Sequence, residues 1–375
     1  MTTLVHILGS PISHHTATVL AFFQRYHEKY LQDHDAIEFL VAYDPLESID
    51  LDAIALKHLN LKIHFYPGKK ALAAAFRQHY LAYPTVEYFL HGQFNPTIWL
   101  DILLGKIDPK RLKWHVWGAD LYEEEKSLKY KLFYIMRRLA QAKIGQIYST
   151  KGDARILKSR ISNPKTSTLY FPTKMNLSLT PTESQKQQRL DRLKEKYVQD
   201  RKTVLLGNSG DKTNNHILGL TKLYKTFGSE VKVIIPMGYP LNNKDYINKV
   251  KQHAASLFSD ENVHILEEKI EFSAYLECLE SCDLAYFLFE RQQGIGTISL
   301  CIQLAVPFVL HPLNAFIDDL KEENIPYLTI KDNMSYEQIC DTQTKLNQLK
   351  LNKISFFEPN YLGGWHQALG LLKED

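Results

Sequence analysis

Residues 284–305 of the chain are LAYFLFERQQGIGTISLCIQLA. The first six are apolar, which is typical of a strand buried on both faces of a parallel sheet, and the residues after Thr297 predict a helix. The segment between them resembles a phosphate-binding turn, because amides at a helix N-terminus carry partial positive charge and glycine admits a close anion. We therefore predict that the amides of Gly294, Gly296 and Thr297 bind phosphate, with the Arg291 guanidinium as a fork for two oxygens.

A second glycine-bearing loop lies upstream. It is Gly207-Asn208-Ser209-Gly210-Asp211, and it follows the apolar run Thr203–Leu206. We predict that Asn208, Ser209 and Gly210 form the other wall of the same anion site. The alternative, that these glycines only allow tight packing of strand on helix, stays open for this loop.

Strand-like and helix-like segments alternate along the whole chain, which predicts an α/β protein with parallel sheets. The alternation breaks near residues 172–201, so we predict two Rossmann-like domains. Their bounds are 1–175 and 202–355, with a linker at 176–201 and a tail and helix at 356–375 that pack back on the first domain. Two such domains facing across a cleft, with phosphate loops in the second, are the arrangement of GT-B glycosyltransferases.

Composition and missing motifs exclude several classes of protein. The first turn after the first strand, Gly9-Ser10-Pro11, lacks the GxGxxG fingerprint of nicotinamide cofactors, and no Walker loop is present. The four cysteines have no metal-ligand spacing, so we expect reduced thiols, no metal and a cytosolic compartment. Residues 1–8 predict a strand instead of a signal peptide, and no apolar run approaches the roughly 18 residues of a membrane span.

The net charge of +3 conceals a basic segment. Residues 106–174 hold sixteen Lys or Arg against six Asp or Glu. Within this segment, residues 126–143 have helical periodicity: an apolar stripe lies opposite a basic and aromatic face. Such a face suits anionic lipid headgroups, although a helix with a merely solvated basic face is the alternative. Nucleic acid is disfavoured because no nucleic-acid module is recognisable.

Several unusual segments resemble one enterobacterial family. They are His6–Ser10, Phe65–Lys70, His91–Thr97, Trp114–Tyr122, Gly207–Asp211, Pro236–Pro240 and Arg291–Thr297. The family is that of the TDP-N-acetylfucosamine:lipid II N-acetylfucosaminyltransferases, also called 4-alpha-L-fucosyltransferases. The resemblance implies transfer of 4-acetamido-4,6-dideoxy-galactose from TDP to a polyprenyl-diphosphate-linked disaccharide, for the enterobacterial common antigen, at the cytoplasmic face of the inner membrane.

The remaining site predictions follow from loop positions. Tyr239 and Phe272 are candidates to stack on the thymine. His14, His15 and Asp120 are candidate bases at the ends of strands in the first domain. The same edge offers two candidate acceptor ligands, His91 and Trp117. If the reaction retains the anomeric configuration, the leaving phosphate takes the proton and no enzyme base is required; an inverting reaction requires one.

A lipid-linked acceptor implies peripheral binding to an anionic membrane. The residues predicted to bind it are Lys126, Lys129, Tyr130, Lys131, Phe133, Tyr134, Arg137 and Arg138. Two rival functions stay open from sequence: a nucleotide-sugar epimerase of the same fold, and a non-catalytic regulator that binds a nucleotide sugar or lipid.

Overall fold

A computed structural model describes residues 4–10, 13–32, 36–46, 50–173, 177–198, 202–240, 243–332 and 334–371. The chain divides into two compact units. Unit 1 comprises Met1–Lys174 and Tyr361–Asp375, and unit 2 comprises Met175–Asn360.

Unit 1 contains a seven-stranded parallel sheet of order β3-β2-β1-β4-β5-β6-β7. Its elements are β1 Leu4–Leu8, α1 Ser13–Tyr30, β2 Ile37–Tyr43, α2 Leu51–Lys57, β3 Leu61–Pro67, α3 Gly68–Ala82, β4 Glu87–His91, α4 Pro96–Leu103, β5 Leu112–His115, α5 Leu128–Gln141, β6 Gln146–Ser149, α6 Lys151–Arg160 and β7 Thr166–Thr168. Strand order reverses between β1 and β4, so the loops after these two strands diverge and leave a crevice.

Unit 2 contains a six-stranded parallel sheet of order β10-β9-β8-β11-β12-β13. Its elements are α7 Glu183–Val198, β8 Thr203–Leu206, α8 His216–Phe227, β9 Lys232–Pro236, α9 Lys244–Ala255, β10 Val263–Leu266, α10 Phe272–Ser281, β11 Leu284–Phe287, α11 Ile295–Gln303, β12 Phe308–Leu310, α12 Ile317–Glu322, β13 Leu328–Thr329 and α13 Tyr336–Asn347. The order reverses between β8 and β11. The segment predicted as a linker contains α7, which packs on α13 and buries Leu193.

Each unit has its own apolar core. In unit 1, α3 to α6 cover one face of the sheet, and the fully buried Trp99 and Trp114 pack edge to face within it. The last helix, α14 Asn360–Ala368, returns to unit 1, where Trp365 packs on Phe22 and Phe23 of α1. Large aromatic surfaces buried in this way contribute several kcal/mol each, about 3–5 when lost to alanine.

Candidate functional site

The two predicted phosphate loops lie side by side in unit 2. One follows β8 and the other follows β11, and these strands are neighbours at the point where strand order reverses. In open α/β sheets this crevice, outside the carboxyl ends of the strands, is where ligands bind. The structure therefore brings residues Gly207–Asp211 and Arg291–Thr297 together at one edge.

Polar side chains join the loops directly. The Gln293 Nε2 donates to Asn208 Oδ1 at 3.1 Å, while Gln293 Oε1 accepts from Arg291 Nε at 2.9 Å. The guanidinium of Arg291 also lies 3.4 Å from Asp211 Oδ2, an acidic partner that sequence reasoning did not identify. Arg291 is thus held over the first loop by two contacts, with its planar fork oriented before any ligand arrives.

Three glycines permit the close packing of this edge. Gly207 has φ +74°, and a Cβ there would stand 2.7 Å from His216 Nε2. A Cβ at Gly210 would overlap Met237 O at 2.6 Å. Gly294, with φ +68°, is the N-cap of α11 and leaves the N-terminal turn of that helix without a side-chain cap. The helix therefore begins with main-chain amides at the loop, as anion binding requires.

The predicted nucleobase residues occupy different positions. Tyr239 belongs to the loop after β9, and its carbonyl accepts a hydrogen bond from the Gly210 amide, so it borders the phosphate loops. Phe272 is the first residue of α10 and is 38% exposed. The same helix contributes Tyr275, whose hydroxyl lies 3.0 Å from Thr297 Oγ1. Tyr275 was not predicted; its place on a helix face gave no signal.

Unexpected support for the first loop comes from Asn214. This fully buried side chain accepts from the Asn208 amide at 3.0 Å and donates to Ser209 Oγ at 3.2 Å. Beside it, His216 is fully buried, and burial lowers the pKa of its imidazole to about 4. A neutral His216 adds no charge to the site.

In unit 1, an aromatic group lies at the crevice between β1 and β4. The ring of Trp117 packs edge to face on His15 at 5.5 Å and on Phe171 at 4.9 Å between centroids. All three side chains are partly exposed. His14 also lies in α1, but its side chain is outside the described residues. Two of the predicted residues, His15 and Trp117, are therefore neighbours.

Asp120 is not placed as the sequence analysis expected. It is buried, and its carboxylate accepts hydrogen bonds from the Gln93 amide at 2.9 Å, Trp114 Nε1 at 2.7 Å and the Trp117 amide at 2.9 Å. Burial raises the pKa of this carboxyl, and the three donors act in the opposite direction. The carboxylate ties the loop after β4 to the loop after β5, an arrangement that supports a positioning role.

The prediction that His91 begins a loop facing an acceptor is wrong. His91 is the last residue of β4 and is fully buried, because its ring packs within an aromatic cluster that includes Trp365. Its Nε2 lies 2.8 Å from His6 Nδ1. Burial lowers the pKa of His6 and His115 to about 3 and also lowers that of His91, so the three imidazoles are neutral.

The predicted orientation of α5 is also wrong for part of its membrane face. Tyr134 and Arg137 are buried, while Lys126, Lys129 and Lys131 are exposed. The remaining members differ: Tyr130 is exposed, Phe133 is partly buried, and Arg138 forms a two-bond ion pair with Glu123 at 2.8 and 2.9 Å. No helix among the described residues is long and apolar enough to cross a membrane.

Comparison with solved structures defines the fold class. Sucrose-phosphate synthase from Thermosynechococcus elongatus matches with a TM-score of 0.64 at 10% identity, covering 98% of both chains. A trehalose-6-phosphate structure from E. coli bound with UDP-2-fluoro glucose matches with a TM-score of 0.60 at 9% identity, covering 99% of both chains. These likenesses show the fold: the chain has the GT-B architecture of glycosyltransferases, and the predicted fold class is confirmed.

The particular family comes from a sequence model. A model described as 4-alpha-L-fucosyltransferase, glycosyl transferase group 56, matches residues 1–374. The chain belongs to this family and is a glycosyltransferase. The predicted resemblance is confirmed.

Proposed function

We propose that this protein transfers 4-acetamido-4,6-dideoxy-galactose from TDP to a polyprenyl-diphosphate-linked ManNAcA-GlcNAc disaccharide. The reaction would complete the trisaccharide repeat unit of enterobacterial common antigen at the cytoplasmic face of the inner membrane. Membership of the fucosyltransferase family supports the glycosyl transfer. The donor and acceptor identities rest on the resemblance of the segments quoted above.

One observation supports the donor site above all others. Two loops joined by the Gln293–Asn208 hydrogen bond converge where strand order reverses in unit 2, and the α11 N-terminus opens at the same edge. A nucleoside diphosphate carries charge that must be stabilised when the sugar departs. In this proposal the amides of Gly296 and Thr297 bind that charge, and the Arg291 guanidinium exchanges Asp211 for phosphate oxygens.

On the acceptor side we place the aromatic group of His15, Trp117 and Phe171. Sugar rings stack on aromatic faces through their C–H groups, and an aromatic group at a strand-order reversal is a site of this kind. Asp120 holds the main chain of Trp117 in place, so it contributes through position instead of by proton transfer.

This arrangement favours the retaining alternative. Both carboxylate oxygens of Asp120 accept N–H groups already, and His91 is buried, which leaves His15 as the candidate base with a described, partly exposed side chain. A retaining reaction needs no enzyme base, since the departing phosphate accepts the proton of the acceptor hydroxyl. His15→Gln should therefore raise the acceptor KM but keep most of kcat, and loss of kcat at saturating acceptor with unchanged TDP affinity would favour inversion instead.

Calorimetric titration with TDP, UDP and ADP tests the donor site. We expect selective binding of TDP and a loss of about 10- to 100-fold in affinity for Arg291→Ala, because charge-assisted hydrogen bonds contribute about 1.5–3 kcal/mol. Arg291→Lys should lose less, since it keeps the charge but not the fork. Lys249→Ala, an exposed position on α9, is the matched control and should bind as the wild type does.

The substrate assignment has its own test. Purified protein, TDP-linked sugar and the lipid-linked disaccharide should yield a lipid-linked trisaccharide. Binding of TDP without any product would favour the non-catalytic regulator, and conversion of the free sugar nucleotide would favour the epimerase.

A further inference from the structure

Helix α5 buries three polar side chains, Tyr134, Arg137 and Gln141. Arg137 is 4% exposed and donates from its terminal nitrogen to the carbonyls of Leu121 at 2.8 Å and Tyr122 at 3.2 Å. Its guanidinium also lies 4.8 Å from the ring centre of Tyr134, whose hydroxyl accepts from the Glu125 amide. One turn further, Gln141 donates to the carbonyl of Asp120.

These contacts fix the rotation of the helix. Turning α5 over would remove the donors of Arg137 and Gln141 from the carbonyls of residues 120–122, of which Leu121 alone would keep a second donor, Arg160. Unsatisfied buried polar groups are costly. The orientation is therefore determined by the segment that carries Asp120. Because of this orientation, the apolar stripe of the helix points away from the core.

That stripe consists of Leu128, Leu132, Ile135 and Leu139, which we call the α5 leucine face. The spacing of four, three and four residues aligns them along one side of the helix. Each side chain is between 54% and 74% exposed. Two further leucines, Leu100 and Leu104, are about half exposed at the neighbouring helix α4, which packs beside α5. Apolar patches of this extent mark interaction surfaces.

Positive charge surrounds the α5 leucine face. Lys129 and Lys131 flank the stripe on its two sides by helical position, and Lys126 and Lys143 lie at its ends; all four are exposed. The surrounding segment, residues 106–174, has a net charge of +10. A row of leucines bordered by lysines complements a layer with an apolar interior and an anionic surface.

We propose that the α5 leucine face docks on a bilayer that contains anionic lipid. The leucines enter the acyl boundary, the lysines contact the headgroups, and the helix lies in the plane of the interface. A second copy of this chain is a poorer occupant, because pairing the same face on itself would bring the lysine borders together. The proposal deepens the proposed function by naming how the enzyme reaches a lipid-linked acceptor, but the surface itself is deduced from burial and charge alone.

Co-sedimentation with phosphatidylglycerol-containing vesicles tests the contribution of the α5 leucine face to membrane binding. Leu132→Ser with Ile135→Ser should lower vesicle affinity by about tenfold or more, since both side chains leave the acyl boundary. The matched control is Leu56→Ser with Leu59→Ser, a pair that is 72% and 76% exposed near α2, and it should bind as the wild type does. Equal loss in both pairs, or in neither, would overturn the proposal.

The contribution of the lysines is tested in the same vesicle-binding assay. Neutralising Lys129 and Lys131 to Gln should lower affinity for anionic vesicles about fivefold per lysine, with no change on vesicles of neutral lipid. Lys244→Gln with Lys249→Gln on α9 removes the same charge elsewhere and should have no effect. Added salt should weaken binding of the wild type, because headgroup contacts are screened beyond about 8–10 Å.

A last experiment distinguishes membrane docking from the proposed enzymatic function. TDP affinity and transfer to a detergent-dispersed acceptor should be unchanged in the Leu132/Ile135 variant, while transfer to acceptor embedded in vesicles falls. If wild type binds vesicles but makes no product in either format, the proposed function fails and the docking surface stands. If the variant instead abolishes self-association of the protein in sedimentation velocity and binds vesicles normally, the occupant is a second copy.

Discussion

Replacing Asp120 tests whether this residue positions its neighbours or acts as a catalytic base. In Asp120→Ala three N–H donors lose their acceptor: the amides of Gln93 and Trp117, and Trp114 Nε1. Each unsatisfied buried donor costs about 1–3 kcal/mol. Because burial raises the pKa of the carboxyl, removing the charge returns part of this cost. We expect a net fall of about 2–4 kcal/mol in the free energy of unfolding of unit 1.

Asp120→Asn should be milder. Its amide oxygen can keep the two donors that share Oδ2, from Gln93 and Trp114, while its nitrogen faces the Trp117 amide as a second donor. In Asp120→Asn one contact becomes unfavourable, whereas in Asp120→Ala all three are lost. The free energy of unfolding should therefore fall in the order wild type, Asn, Ala, with the Asn variant lower by about 1–2 kcal/mol.

Tryptophan fluorescence during urea denaturation measures this directly. All four tryptophans of the chain, Trp99, Trp114, Trp117 and Trp365, lie in unit 1, so the signal reports that unit alone. TDP affinity should be unchanged, and the acceptor KM should rise because Trp117 loses its anchor. Asp101→Asn, which weakens the ion pair between buried Asp101 and partly exposed Arg77, is the control: it should lower stability without changing the acceptor KM. A wild-type urea midpoint with abolished turnover in Asp120→Ala would refute the positioning role and restore the base.

Two further predictions concern conformation and pH. Gly207→Ala should weaken TDP binding and lower the melting temperature of the protein more than Gly228→Ala does. Both glycines have φ near +75° and share the backbone cost of about 1–2 kcal/mol, but only at Gly207 would a Cβ meet neighbours; equal effects would contradict the contact argument. Unit 1 should lose stability as pH falls below 6.5. Burial holds the pKa of His6 and His115 near 3 in the folded chain, so below 6.5 only the unfolded chain takes up these protons. Between pH 7.5 and 5.5 the two groups should lower the free energy of unfolding by roughly 3 kcal/mol. Because burial also holds the pKa of His91 well below its ordinary value, His115→Gln should reduce the measured slope by about a third, and an unchanged slope would show that other groups titrate.

Several strands of this fold were predictable because their signals are local. The apolar run Thr203–Leu206 predicted β8 with the bounds that the structure has, and the strand predicted within residues 1–8 is β1, Leu4–Leu8. Strands β7 and β13 were not predicted. The first is the polar triplet Thr166–Thr168 and the second has only two residues, so each strand forms through pairing with a neighbour that is distant in sequence.

The two glycine-bearing loops of unit 2 were predictable as loops for the same reason, but the hydrogen bond that joins them was not. Glycines and Arg291 stand in short segments that a strand and a helix bracket. The bond between Gln293 and Asn208 joins positions 85 residues apart, and it depends on β8 and β11 being neighbours. Tyr275 likewise contributes through a tertiary contact, with Thr297, that no local pattern predicts.

Position at the end of a strand predicted which residues lie near a crevice but not which way they face. His91 ends β4 and points into the aromatic cluster, whereas Trp117 follows β5 by two residues and stays partly exposed. Successive side chains along a strand alternate between faces, so a shift of one residue decides between core and crevice.

Helix α5 shows the limit of periodicity most clearly. The spacing correctly separates a leucine stripe from a basic and aromatic face, yet it contains no information on which face packs inward. Leucines are usually buried. Here, however, the face of α5 that packs inward is determined by the carbonyls of the 120–122 segment, which accept hydrogen bonds from Arg137 and Gln141. That segment also carries Asp120, whose carboxylate accepts from the Trp117 amide. One segment therefore both anchors the candidate acceptor site and turns the leucines outward. A chain that buried those leucines would lose the support of its own acceptor loop.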